Sequence, residues 1–501
     1  MKKFLYLAVA CLCLVSCYKG PRRAERIRFY YINVFVSNML NSYYLWSQEV
    51  KEKASAWSTK EYQPVEKLKE VRYVDDKWST LYSDAEAFMS AINGDGRTFG
   101  FEPILDVSHA RLIVPFVYEG SPAHKAGLKR GDVFTVVNGE TLTSENCEEV
   151  VRKAFASTTV DLAREDGSSL NLTAESRYNN PVNLVKVLNL DGKKIGYLHY
   201  TNFTLRSGKD LENAFSTFKN SGIEELVLDL RYNGGGYSLI ASALASMLAP
   251  MADVSAGKIF SQNVYNEAYT ASLRKAGRES VMEDRLALKH DLSEQDAGVI
   301  DAGRVNLGLP RLWVITTGNT ASASESLIGG LMPYMDVTLA GSRTHGKSYS
   351  GSFITAPSFY QALEESSTVW QCRKCLEEYT EEYEKCPTCG GELRERSRAD
   401  INCQEGMETT ENWGLYLIVS KFADCNGNTP ALPSGIPADI SVADNPLDGY
   451  PLGDPSETML HEVLAQIGVV SKTVTKSSLD TPDFTFPLHT PAYGLNILPL
   501  R

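Results

Sequence analysis

Between residue 27 and about residue 90, apolar and aromatic positions recur at helical spacing. RFYYINVFVSNMLNSYYLWSQEV leads, then PVEKLKEVRYV and DAEAFMSAI. This pattern predicts helices packed on one apolar stripe, a helical cap over 18–97. NGDGR at 93–97 is a turn that closes it. Over 98–177 the apolar runs shorten and become β-branched. RLIVPFVYEG reads as a strand, and Ser121-Pro122-Ala123 opens a short helix that Gly127 ends. VFTVVNG is a strand running into an Asn138-Gly139 hairpin turn. SENCEEVVRKAF is an amphipathic helix, and TVDLARED with SLNLTAE forms a last hairpin. Over 184–470 strand and helix alternate: KKIGYLHYTNF, GKDLENAFSTFKNSG, IEELVLDLRYNGGG, YSLIASALASMLA, RLWVITTGNT, ASESLIGGLMPYM and VTLAGSRTHGKSYSG. Alternation of this kind predicts an α/β core with crossover connections.

In such cores reactive residues gather at the carboxyl ends of strands. Two ends stand out. DLRYNGGG, 229–236, places three glycines after a buried strand, where bare amides form an anion-binding concavity or simply a turn. GNTASASESL, 318–327, carries Ser322, Ser324 and Ser326 between a strand and a helix. A hydroxyl at that junction lies beside unsatisfied amides and the positive end of a helix dipole, a setting that stabilises an oxyanion. Serine is also an ordinary helix cap. Ser322 sits at the junction itself, Ser324 just inside it and Ser326 in the first turn. A serine nucleophile needs a base. His345 is the only nearby histidine, and Lys347 follows it in THGKS. A lysine amine serves as base when burial lowers its pKa.

With 501 residues the chain is long enough for several domains, and its net charge of −12 lacks the basic footprint of a nucleic-acid binder. The start changes the picture more. MKKFLYLAVACLCLVSC has two lysines and then an apolar run too short to span a bilayer, as in an export signal over 1–17. Leu14-Val15-Ser16-Cys17 resembles the bacterial lipobox, which implies cleavage before Cys17, lipidation of its thiol and a folded part anchored to a membrane outside the cytoplasm.

GSPAHKAGLKRGDVFTVVNGE, with TFGFEP at 98–103, resembles a PDZ domain over 98–177. The resemblance implies a groove that takes an extended peptide beside a helix, with Phe99, Gly100 and Phe101 in the carboxylate-binding loop. The set of DLRYNGGG, TASASES, THGKS and GIPAD, in that order after the PDZ segment, resembles the C-terminal processing (tail-specific) serine peptidase family. The likeness runs from about 98 to 470, and the cap with Tyr44-Leu45-Trp46 resembles Bacteroidetes-type members. It implies a ClpP/crotonase-like α/β peptidase core needing no catalytic cofactor. Ser322 takes the place of the nucleophile and Lys347, 25 positions later, that of the base. The amides of Ala323 and Gly235 take the places of the oxyanion donors. One position departs from the pattern. Many relatives carry a glutamine four residues after the lysine, and this chain has Gly351. Either Ser348, Tyr349 or Ser350 replaces it, or the lysine is held less firmly.

WQCRKCLEEYTEEYEKCPTCGGELRE, within an insert at 364–400, pairs Cys372 and Cys375 with Cys386 and Cys389. Two Cys-x-x-Cys knuckles resemble a zinc ribbon, which implies a structural zinc held by four thiolates; two disulfides are the alternative. Cys403 and Cys425 are left as a possible disulfide pair. Residues 471–501 read as a tail. The sequence therefore predicts an exported, lipid-anchored serine endopeptidase that binds peptide or protein C-termini through a PDZ domain. A non-catalytic peptide-binding envelope lipoprotein on a degenerate core is the alternative, with Gly351 as its support.

Overall fold

The computed structural model describes residues 22–471 except 375, 376, 380, 382 and 398, plus the backbone of two short strands at 484–485 and 494–495. Cys17 and the export signal lie outside the described residues, and so does Cys375. Among the described residues no helix is long and apolar enough to cross a membrane.

The first region forms helices Arg23–Ser42, Lys51–Ser55, Pro64–Val71 and Ala85–Ile92. Its stripe residues Tyr31, Phe35, Val36 and Leu40 are buried in the same core as Leu228, Leu327 and Ile418 of the α/β region. The region also holds a strand that the periodicity does not show, Thr80–Tyr82, which pairs antiparallel with Gly414–Ala423. Three residues are too few to display alternation.

The second region has its own core, with Leu112, Phe134, Val151 and Leu162 fully buried. Ile104–Asp106, Arg111–Ile113 and Val133–Phe134 form one small sheet, and Thr159–Ala163 with Ser169–Thr173 closes a second. Helix Cys147–Phe155 packs against the second, with Val151 and Ala154 buried in this core. The strand expected over RLIVPFVYEG stops at Ile113, because Pro115 has no N–H to offer a ladder.

Two sheets build the third region. The first runs Val182–Leu190, Lys193–Tyr200, Glu225–Asp229, Arg311–Thr316, Asp336–Gly341, Ile440–Ser441, and every pairing after the first is parallel. Crossover helices Ser207–Ser221, Ser238–Leu248 and Ala323–Leu331 join its strands. Gly222 ends the first of them in the left-handed region, which glycine tolerates best. The second sheet contains Gly236–Tyr237, Tyr349–Thr355, Gly414–Ala423 and Ile259–Tyr265, and strand 494–495 lies between the first two of these. Two short strands of the expected tail are thus part of the fold, since strand 484–485 adds to Ile104–Asp106 as well. The cysteine insert is a separate three-stranded sheet of Glu378–Tyr379, Thr368–Cys372 and Leu393–Ser397.

Candidate active site

The parallel strands Glu225–Asp229 and Arg311–Thr316 lie side by side, so the loops leaving their carboxyl ends meet. Asn233 stitches these loops together. Its carbonyl accepts from the Ala321 amide at 3.0 Å and from the Ser324 hydroxyl at 3.1 Å. Its side-chain oxygen accepts from the Gly235 amide at 2.9 Å. The glycine turn thereby lies against the serine. A Cβ placed on Gly235 would stand 2.9 Å from Ser322 Cβ and 3.0 Å from the Ala323 nitrogen. With φ at 107°, Gly235 is also in a conformation that other residues resist.

Ser322 caps helix Ala323–Leu331 at φ 58°, ψ −111°. A non-glycine residue there is strained, and such strain clusters at functional sites. The Ser322 hydroxyl is buried and makes no hydrogen bond. A buried hydroxyl left unpaired costs about 1–3 kcal/mol. Ser324 instead serves the loop stitch described above, and Ser326 is a buried helix residue. A cavity of about 10 Å³, room for about one water, lies beside Ser322 and Ala323 and is also lined by Asp284 and Ser350. Burial pushes the Asp284 carboxyl above its ordinary range, although Ser261 and Asn263 donate to it.

Glu325 joins the serine and lysine segments. Its carboxylate accepts from the Ser322 amide at 2.9 Å, the Lys347 amide at 2.8 Å, and the Gly346 amide and Thr344 hydroxyl at 2.6 Å each. Burial raises its pKa, and these four donors pull it back. The sequence shows Glu325 only as one polar residue among the serines. Its position three residues after a cap, as in a capping box, was the available signal.

Lys347 is fully buried. Desolvation lowers its amine to about 7, against smaller opposing effects of Asp76 and Glu325. The amine donates to the Tyr416 hydroxyl at 3.1 Å and stands 5.3 Å from the centre of the Trp78 ring. Gly351 explains Tyr416. A Cβ at 351 would fall 2.3 Å from Tyr416 Cζ and 2.6 Å from its hydroxyl. The missing side chain is the space the tyrosine fills. None of the three expected neighbours holds the amine: the Ser348 hydroxyl makes no hydrogen bond, Tyr349 packs on Trp46 and Trp78, and Ser350 faces the small cavity. His345 lies at the surface side, near the Gly318 carbonyl.

A buried ionic cluster backs the glycine turn. Arg231 pairs with Asp229, Asp444 and Glu457 at 2.7–2.9 Å, and Arg130 of the second region pairs with the same Asp444 at 2.8 Å. The paired arginines hold the Asp444 carboxyl down at about 2 despite its burial.

Phe99 and Phe101 are buried against Phe155, with ring centres 5.3 and 5.4 Å away. Gly100 has φ 96°, and a Cβ there would overlap Ser121. A cavity of about 220 Å³ opens beside Phe99, Phe101, Tyr118 and Phe155. In the insert, Cys372, Cys386 and Cys389 place their sulfurs within 4.8 Å of one another. Cys403 and Cys425 do not pair. Both are free thiols, with Cys403 buried at its helix start and Cys425 beyond strand Gly414–Ala423.

Comparison with known proteins fits this geometry. Residues 194–359 match the model of peptidase family S41, and residues 113–154 match that of a PDZ domain. Over 283 residues the chain is 26% identical to carboxy-terminal processing protease CtpA of Bacillus subtilis, covering 55% of this chain and 53% of that protein. Over 170 residues it is 31% identical to chloroplastic carboxyl-terminal-processing peptidase 2 of Arabidopsis thaliana, 32% of each chain. It therefore spans between about a third and about half of these relatives. A solved structure from Bacteroides fragilis, described as an S41 protease, shares the fold: TM-score 0.59 at 21% identity, over 87% of this chain and 97% of that one. Residues 194–359 thus carry a family S41 peptidase core and residues 113–154 a PDZ domain, in a chain similar to carboxy-terminal processing proteases.

Proposed function

We propose that the chain is an exported serine endopeptidase, lipid-anchored through Cys17, that captures extended peptides on its PDZ domain and cleaves them with Ser322 and Lys347. One observation carries the chemistry. A strained serine with an unpaired hydroxyl sits at a helix N-terminus, tied through Glu325 to a buried lysine whose amine is close to neutral. In this reading Lys347 moves from Tyr416 to Ser322 and takes the hydroxyl proton. The oxygen attacks the scissile carbonyl carbon. The negative oxygen that forms is met by the Ala323 and Gly235 amides, and the Gly235 amide turns from Asn233 to do so. Collapse expels the amine, which receives the proton from Lys347. Water then attacks the acyl-enzyme with Lys347 again as base.

The test is covalent labelling of Ser322 by a fluorophosphonate, read by peptide mass, with Lys347→Ala alongside. Labelling that needs the lysine supports the reading; absence of both labelling and cleavage of unstructured peptides contradicts it.

The insert suits a structural zinc. Three converging thiols with backbone-closed knuckles are the donor set such an ion takes, and Cys375 supplies the fourth ligand in this reading. Four thiolates leave no open position, so zinc has no part in the hydrolysis. Metal analysis of the purified chain, with Cys386→Ser as control, checks for one zinc per chain.

A further inference from the structure

Two short strands from the C-terminal segment lie against the two places where a peptide would be read. Phe484 and Thr485 pair antiparallel with Asp106 and Leu105. That strand directly follows the Phe99–Phe101 turn, and its opposite edge already pairs with Arg111–Ile113. Antiparallel addition to this edge is how an extended ligand joins a capture sheet. Further along, Gly494 and Leu495 pair in parallel with Gly236 and Tyr237, and Leu495 pairs with Gly351.

Gly236 follows the oxyanion-turn glycine, and Gly351 lies on the strand that leaves Lys347. The inserted strand therefore runs between the element bearing one oxyanion donor and the element bearing the base. Nine positions separate Thr485 from Gly494, enough to span about 30 Å when extended.

We infer that two strands of the chain's own C-terminal segment, 484–485 and 494–495, are an in-cis ligand that fills the capture edge and the catalytic cleft until an external peptide displaces it. This rests on the serine-peptidase reading above. A tethered ligand acts at an effective concentration in the millimolar range, so it restrains cleavage without needing high intrinsic affinity.

The test compares the full chain with Leu495→Pro, which removes a backbone donor in the cleft, and Thr485→Pro, which does so at the capture edge. Each is assayed for labelling of Ser322 by a small fluorophosphonate and for turnover of an unstructured fluorogenic peptide. A synthetic peptide of residues 480–501 is also added in trans to every form, an arm that needs no variant to fold. The expected result is Ser322 labelling throughout, turnover raised about tenfold in the proline variants, and suppression by the added peptide. Labelling with unchanged turnover in both variants and no suppression by the peptide overturns the inference and leaves the peptidase reading standing. No labelling in any form overturns the peptidase reading itself.

Discussion

The backbone strain of the serine is set within one stretch of chain, whereas the surroundings of the lysine amine are assembled from three. Ser322 takes its strained backbone from the six-residue turn, 317–322, between strand Arg311–Thr316 and helix Ala323–Leu331. Lys347 owes its low pKa and its position to Trp78 in the first region and Tyr416 on a central strand. The contrast is physical. Backbone strain and a helix terminus are local properties, so a short motif can encode them. Desolvation of an amine needs walls, and walls come from wherever the fold brings them. Glu325 bridges the two, since it takes amide hydrogen bonds from both segments.

Substitutions can break this contrast, beginning with the largest effect. Ser322→Ala or Lys347→Ala should each lower peptide turnover by about a thousandfold or more, because a nucleophile and its base act as a unit. Tyr416→Phe should act on the lysine alone. Losing one hydrogen bond to a charged group costs about 1.5–3 kcal/mol, so kcat should fall about tenfold or more with KM little changed. The hydroxyl accepts from the ammonium, so its loss should also shift the acid limb of the kcat profile to lower pH. An unshifted limb would mark Tyr416 as packing only. Trp78→Ala should open the lysine wall to water, raise the amine pKa and move that limb to higher pH, opposite to Tyr416→Phe. The smallest expected effect sharpens the comparison from outside. Chelating the zinc proposed for the insert should make residues 368–397 sensitive to added protease while Ser322 labelling stays unchanged.

Much of the serine side was legible. The Ser322 junction, the alternation of strands and helices and the spacing to Lys347 all stand in short stretches of sequence. Gly351 was legible only as a gap. Its meaning lies 65 positions later at Tyr416, where one tyrosine among twenty-five looks like core. Strand Thr80–Tyr82 escaped notice because its stability comes from the Gly414–Ala423 partner and its own pattern is short. Strands 484–485 and 494–495 were hidden for the same reason, since edge addition uses backbone groups and asks little of side chains. Cys403 and Cys425 show the reverse error: two leftover cysteines suggest a pair, and the fold keeps them apart as free thiols.

The central claim is that a buried, nearly neutral Lys347 activates Ser322. Lysine is a base only without its extra proton. With an amine near 7 the reactive fraction should be full above about pH 8 and fall tenfold for each unit below the midpoint. The direct measurement is the rate of Ser322 acylation by a fluorophosphonate between about pH 5 and 9, in the wild type and in Lys347→Ala. The account predicts a rise with a midpoint near 7 that disappears in the variant. A pH-independent rate, or the same midpoint with the lysine removed, would contradict it.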